Sequence, residues 1–266
     1  MRLTRVFIDT PLAPGMRLNL PENAGGHLVR VLRLREGEAC VLFNGDGHDY
    51  DARLLAVTKR SVEVEIIGAR AIDNESPLRI VLLQGIARGE KMDLILQKAT
   101  ELGVAAIAPV FADRTEVRLD GERLDKRSAH WRSVVIAACE QSGRACIPEL
   151  RPACSLAEAA ASLDDDMLKL TLDPHGDERF ETLALPQVVT SQIVSSQIVS
   201  SQVVPFNRRK MVIAVAIGPE GGWSEKDRAV LRAHGFRGLR IGPRVLRTET
   251  AGLAAIAALQ AKFGDL

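Results

Sequence analysis

Ile217-Gly218-Pro219-Glu220-Gly221-Gly222-Trp223-Ser224 follows the apolar run 211–216, and Ile241-Gly242-Pro243-Arg244-Val245-Leu246-Arg247-Thr248-Glu249-Thr250-Ala251 opens an alanine-rich stretch near the end of the chain. Each reads as a short hydrophobic strand that enters a Gly-Pro turn and leaves it as a helix. Such a turn points backbone N–H groups and a helix N-terminus into a crevice, which is where ligands sit in open α/β sheets. A lone Gly-Pro turn is a loop corner. Two of them, each after a strand and before a helix, outline a ligand site.

The chain before these turns carries the same alternation. Residues 78–83 form a continuous apolar run suited to a buried parallel strand. Residues 90–102 place Met92, Ile95, Leu96, Ala99 and Leu102 on one helical stripe that Gly103 stops. A strand is expected over 104–110, a helix with one buried face over 125–141, a short helix over 156–163 and a strand over 167–172 that ends at Asp173-Pro174-His175-Gly176. Beyond the first Gly-Pro turn, Ser224 caps a helix to about His234 with Asp227 at the capping-box position, and 238–241 is the last strand. Strand and helix in turn mean an α/β domain with a parallel sheet. The final helix, 248–263, has Ala251, Ala254, Ala255, Ala258 and Leu259 on one face and Leu253, Ile256 and Ala257 on another. A helix apolar on nearly all sides is buried on all sides, so a second subunit is expected over it, in a homodimer.

Residues 1–70 differ. A helix over 22–34 is followed by strands at 38–43, 50–57 and 61–67, the first two joined by Asn44-Gly45-Asp46-Gly47, a hairpin signal. Gly45-Asp46-Gly47 is no dinucleotide fingerprint, because the third glycine and the helix are missing. The polar, proline-ended stretch 71–77 is the expected linker. The division is therefore 1–72 and 73–266, and the small unit is either a barrel that helps hold RNA or a structural cap.

The 35 Lys+Arg and 34 Asp+Glu leave a net charge of +1, so bulk charge points to no polyanion. Nucleic-acid binding would have to come from patches: Arg30, Arg33 and Arg35, then Arg208, Arg209 and Lys210, then Arg237, Arg240, Arg244 and Arg247. No apolar run reaches the roughly 18 residues of a membrane span, and the first residues lack the apolar core of a signal peptide, so a cytoplasmic protein is expected. Cys40, Cys139, Cys146 and Cys154 form no C-x-x-C pair and have no histidine at zinc spacing; they read as reduced thiols, with no metal site.

Two stretches stand apart. Ser191-Gln192-Ile193-Val194-Ser195 is repeated almost unchanged at 196–200 and 201–205, with a degraded copy at 187–190. The unit is too short for a solenoid and reads as an inserted surface hairpin or loop over 187–205, with no chemistry assigned. Glu140-Gln141-Ser142-Gly143-Arg144 ends the 125–141 helix: either a C-cap glycine among solvated side chains, or a substrate-facing group with Arg144 as a phosphate or base contact. There is no Walker A lysine, no G-x-S-x-G elbow and no H-E-x-x-H.

Together the two Gly-Pro segments resemble the signature segments of the RsmE family, 16S ribosomal RNA uridine-N3 methyltransferases of the SPOUT class. The resemblance covers nearly the whole chain: His27-Leu-Val-Arg-Val-Leu-Arg33, Phe43-Asn-Gly-Asp-Gly47, Lys98-Ala-Thr-Glu-Leu-Gly103 and Glu140-Gln-Ser-Gly-Arg144 match the family pattern in order. Departures are Asp227 where glutamate is more usual, Ile241 where leucine is common, and the pentapeptide insertion. The resemblance implies an N-terminal PUA-like β-barrel and a C-terminal SPOUT-type α/β domain whose last segment is threaded into a deep trefoil knot. It also implies a dimer.

By the same resemblance, S-adenosylmethionine sits bent in the knot, held by backbone groups near Leu172, by Ile217, Gly218, Pro219, Glu220, Gly221 and Gly222, and by Ile241, Gly242, Pro243, Val245 and Leu246. The substrate is 16S ribosomal RNA, within the 30S subunit or naked. Uridine N3 carries a proton and is a poor nucleophile until it is lost, so the site has to align N3 and stabilise the developing anion. Arg144 and Arg247 are the expected stabilisers, Glu249 or Glu140 the proton acceptor, and Arg30, Arg33, Arg35 and Arg244 the RNA contacts. The alternatives are a SPOUT methyltransferase of another RNA and a non-catalytic RNA-binding protein of the same fold.

Overall fold

A computed structural model describes residues 3–58, 61–117, 119–174, 176–184 and 212–266. The pentapeptide repeat, the basic run Arg208, Arg209 and Lys210, and His175 lie outside the described residues.

The first unit is a five-stranded sheet made of β1 (Arg5–Phe7), β2 (Arg17–Asn19), β3 (Ala39–Phe43), β4 (His48–Val57) and β5 (Val62–Ala71), in the order β1-β3-β4-β5-β2. Asn44-Gly45-Asp46-Gly47 makes the expected β3–β4 hairpin, with Gly45 and Gly47 both at positive φ. Between β2 and β3, α1 (Glu22–Gly26) runs directly into a π-helical turn, His27–Val31, in which the Leu32 N–H reaches back to the His27 carbonyl at 3.1 Å. The single helix expected over 22–34 is thus two short pieces, ended by Arg33 at φ 59. Consecutive Gly25 and Gly26 supply little helix propensity, and tertiary packing sets the geometry instead. Val6, Ile8, Leu28, Leu42, Leu54, Val64 and Ile66 form this unit's core.

The second unit comprises β6 (Arg79–Gly85), α2 (Glu90–Glu101), β7 (Ala106–Phe111), α3 (Gly121–Ser142), β8 (Glu149–Leu150), β9 (Cys154–Ser155), α4 (Leu156–Ala161), β10 (Leu168–Leu172), β11 (Glu178–Arg179), β12 (Val212–Ile217), α5 (Glu225–Ala233), β13 (Arg237–Arg240) and α6 (Thr248–Phe263). Its sheet is parallel, in the order β11-β13-β10-β12-β6-β7-β8. Helices cover both faces. Met92, Ile95, Trp131, Val135, Ile256 and Leu259 pack α2, α3 and α6 on one, and Leu156, Ala160, Leu231 and Trp223 pack α4 and the α5 region on the other. Continuous apolar strands are what a sheet buried on both faces requires.

The helix expected from 125 begins at Gly121, because Asp120 already stands in the extended N-cap conformation and its carbonyl accepts from Arg123 and Leu124. Ser224 and Asp227 form the expected reciprocal capping box. α6 buries Ala251, Gly252, Ala255, Ile256 and Leu259, while Leu253, Ala254, Ala257 and Ala258 remain half-exposed. Among the described residues no helix is long and apolar enough to cross a membrane, and all four cysteines are free thiols.

Strand order places the site. β13, β10, β12 and β6 are parallel neighbours, so the turn after β13, the end of β10, the turn after β12 and the end of β6 share one edge of the sheet.

Candidate active site

At that edge lies a cavity of about 720 Å³, within the range that takes a cofactor-sized ligand. Its walls are Leu172 and Asp173 from the end of β10, the turn after β12, and the loop and first turns of α6. The residues expected to hold a cofactor all line it except Gly221 and Pro243. Gly221 turns its carbonyl outward to Arg114 Nη1 at 3.1 Å. A Cβ there would stand 2.9 Å from the Arg114 Cβ, so this turn admits only glycine without moving the β7–α3 loop.

The first turn is buttressed from three sides. Trp223 Nε1 donates to Thr171 Oγ1 at 2.9 Å, and that hydroxyl donates to the Ala216 carbonyl at 3.1 Å. Glu220 Oε1 accepts from the Arg88 backbone N–H at 3.1 Å and from Lys91 Nζ at 3.3 Å. Burial pushes the Glu220 carboxyl up, but the backbone N–H groups of Arg88 and of Glu220 itself, together with Lys91, outweigh it and hold it below the ordinary glutamate value. Beneath the turn, Gly85 has Pro219 pressed against it: a Cβ would meet the Pro219 nitrogen at 2.5 Å.

Arg244, Arg247 and Glu249 line the cavity as well. Arg244 and Arg247 are exposed at its lip, and Glu249 is half-buried with its Oε2 buried and without a hydrogen-bond partner. At the rim Arg228 pairs with Asp173. Glu249 therefore stands in the cavity wall with one carboxylate oxygen buried and without a donor.

Arg144 and Glu140 are elsewhere, and the expectation that they face the substrate does not match where they stand. Both are at the C-terminal end of α3, against the first unit. The Arg144 side chain donates to both oxygens of Glu75, at 2.9 and 2.5 Å, and to the carbonyls of Thr100 and Val104, at 2.8 and 3.0 Å. Glu140 Oε1 accepts the Phe7 N–H at 3.0 Å. Arg5 completes the joint, bonding Asp49 at 2.6 Å and the carbonyls of Cys139 and Arg144 at 2.7 and 3.1 Å. Glu140, through Phe7, and the Cys139 and Arg144 carbonyls, through Arg5, join the two units, while the Arg144 guanidinium is held by Glu75 of the connecting segment and by two carbonyls of the second unit. Arg30, Arg33 and Arg35 are exposed on the first unit, outside the cavity lining.

Sequence reasoning did not single out Gln84, Gly85, Lys91, Asp173, Arg228 or Thr248 as site residues. A signal existed for Gln84, the polar residue near the end of an apolar strand; the others become visible only through strand order.

Residues 74–260 match the family described as RNA methyltransferase domain, and residues 20–67 match RNA methyltransferase PUA domain. A crystal structure of ribosomal RNA small subunit methyltransferase E from Neisseria gonorrhoeae, bound to S-adenosyl methionine, superimposes with a TM-score of 0.85 at 39% identity, covering 99% of each chain. The chain belongs to the RsmE family. Other RsmE-family relatives share its length: ribosomal RNA small subunit methyltransferase E of Buchnera aphidicola (Schizaphis graminum) is 29% identical over 100% of this chain and 98% of its own. The Bacillus subtilis protein of the same name is 28% identical over 88% and 85%. For an RsmE-family member, the sheet with helices on both faces and the PUA-type first unit are the expected architecture.

Proposed function

We propose that the chain transfers a methyl group from S-adenosylmethionine to N3 of a uridine in 16S ribosomal RNA, as a homodimer, in the cytoplasm, on RNA within the 30S subunit. The observation that carries this reading is the cavity itself: backbone turns and apolar walls on one side, the Glu249 side chain in the wall, and two exposed arginines at the lip.

The residues present fit S-adenosylmethionine. The walls at Leu172, Ile217, Ile241 and Leu246 suit an adenine ring, and the Gly218–Gly222 turn lets the backbone approach closely. When bound, this cofactor supplies an electrophilic methyl on a sulfonium, whose departure needs no acid. The chain's task is the uridine. Glu249 takes the N3 proton, Arg247 stabilises the charge left on the base, and Arg244 holds a flanking phosphate. N3 lies on the pairing edge, so the target is unpaired or flipped out.

Residues 1–72 serve as the RNA-gripping PUA-like barrel, through Arg30, Arg33 and Arg35, and 73–266 as the methyltransferase domain with 187–205 inserted. The end of the first sheet at Ala71 supports that division. A deep trefoil knot around the second turn belongs to the same reading. Thr248 is tucked under the Gly218 carbonyl, as a threaded C-terminal segment requires. The dimer is supported by the half-exposed apolar face of α6 and by Val245, 81% exposed beside it in the chain.

The test is a methylation assay with labelled S-adenosylmethionine on 30S subunits lacking the modification, naked 16S RNA and transfer RNA, identifying the product nucleoside by mass. Label in 3-methyluridine of 16S RNA is the expected result. Label only in transfer RNA would mean another RNA target, and no cofactor binding would leave a non-catalytic RNA-binding protein.

A further inference from the structure

Gln84, Gly218 and Thr248 meet under the cavity, although they lie far apart in the chain. Thr248 Oγ1 donates to the Gly218 carbonyl at 2.6 Å and accepts from Gln84 Nε2 at 3.1 Å. Gln84 Nε2 also donates to the Gly85 carbonyl at 2.9 Å. Thr248 is 7% exposed and Gln84 0%. The direction of each bond is determined: Gly218 and Gly85 offer only carbonyl oxygens, so the threonine proton points to one and the amide hydrogens to the other.

Gln84 Oε1 has no partner. A buried acceptor without a donor costs free energy, and an apolar side chain of the same size would avoid that cost. What the amide contributes here is its nitrogen, which donates to the Thr248 hydroxyl and orients it. That hydroxyl restrains the Gly218–Pro219 peptide plane. Pro219 has no N–H with which to restrain it from the other side, and Gly85 forms the floor below it.

We infer that Thr248 is a positioning residue: through Gln84 it locks the Gly218 carbonyl and so holds the first turn at its working distance from the second, before any ligand arrives. For binding, this rests on the reading of the cavity as an S-adenosylmethionine site. For the turn itself it does not. Pre-ordering of this kind lowers the cost of closing backbone groups around a ligand, which appears as affinity for that ligand and leaves the chemical step alone.

The experiment uses the full chain as wild type, Thr248→Val and Thr248→Ser. Hydrogen exchange is followed across residues 217–223 without ligand, and S-adenosylmethionine affinity is measured by calorimetry. Thr248→Val keeps the shape and loses the hydroxyl; exchange in 217–223 is expected to quicken and Kd to rise, each by about tenfold. Thr248→Ser keeps the hydroxyl and is expected to stay within about twofold of wild type in both. Unchanged exchange in Thr248→Val, or equal effects in the two variants, would overturn the inference. Wild type that bound no S-adenosylmethionine would remove the cofactor reading, while the exchange comparison would still decide the role of Thr248.

Discussion

Arg144 and Glu75 form a two-pronged ion pair, at 2.9 and 2.5 Å, between the end of α3 and the segment joining the two sheets. The arginine side chain is 5% exposed, and its third terminal contact is with two carbonyls of the second unit. Removing the arginine leaves the half-buried Glu75 carboxylate without its partner and two buried carbonyls without that donor. Arg144→Ala is expected to lower the unfolding free energy by about 1–3 kcal/mol. Denaturant unfolding checks it, and methylation per folded molecule should fall much less than stability does.

Glu140 gives a pH signature. Burial raises its carboxyl above the ordinary 4.5, against the opposing Phe7 N–H, His27 and Arg5. The folded state therefore holds this proton more tightly than the unfolded chain, and the associated stability is lost as pH rises through the raised value. Glu140→Gln keeps an acceptor for the Phe7 N–H and removes the titration. The variant should match wild type near pH 4 and gain on it above, as read from denaturation midpoints across pH.

Glu249→Gln tests the proposed proton acceptor. Its volume and position are kept, so S-adenosylmethionine binding should survive, while kcat is expected to fall by roughly 10²–10⁴. A loss confined to cofactor affinity would make Glu249 a binding group instead.

Gly85→Ala should abolish cofactor binding, since the new Cβ would meet the Pro219 nitrogen at 2.5 Å and push the turn into the cavity. Calorimetry reads the binding, and circular dichroism should show the sheet intact.

Arg244 and Arg247 are exposed at the lip. If Arg244 meets a phosphate, Arg244→Ala lowers RNA affinity and reduces the slope of log K against log salt by about 1. Arg247→Ala should instead act chiefly on kcat.

Much of this was readable from local pattern. The strand-turn-helix units at 217–224 and 241–251 announce themselves by apolar runs that end in Gly-Pro, and Ser224 with Asp227 by their spacing. What could not be read is what packs over what. A polar cluster at a helix end looks the same whether it faces a substrate or another domain. The partners that settle Arg144 and Glu140 are Glu75 and Phe7, 69 and 133 residues away in the chain. Thr248 and Gln84 were hidden for the same reason, being separated by 164 residues.

That separation has a consequence for synthesis. Chains emerge N-terminus first and fold as units. The first sheet, and then β6 with Gln84 and Gly85 at its end, are made before Thr248, which bonds the Gly218 carbonyl from the start of α6, has been translated. A nascent chain thus has no finished methyl-donor site until α6 has packed. The cavity wall that α6 supplies, from Thr248 to Ala254, is made after the strands and turns it closes against.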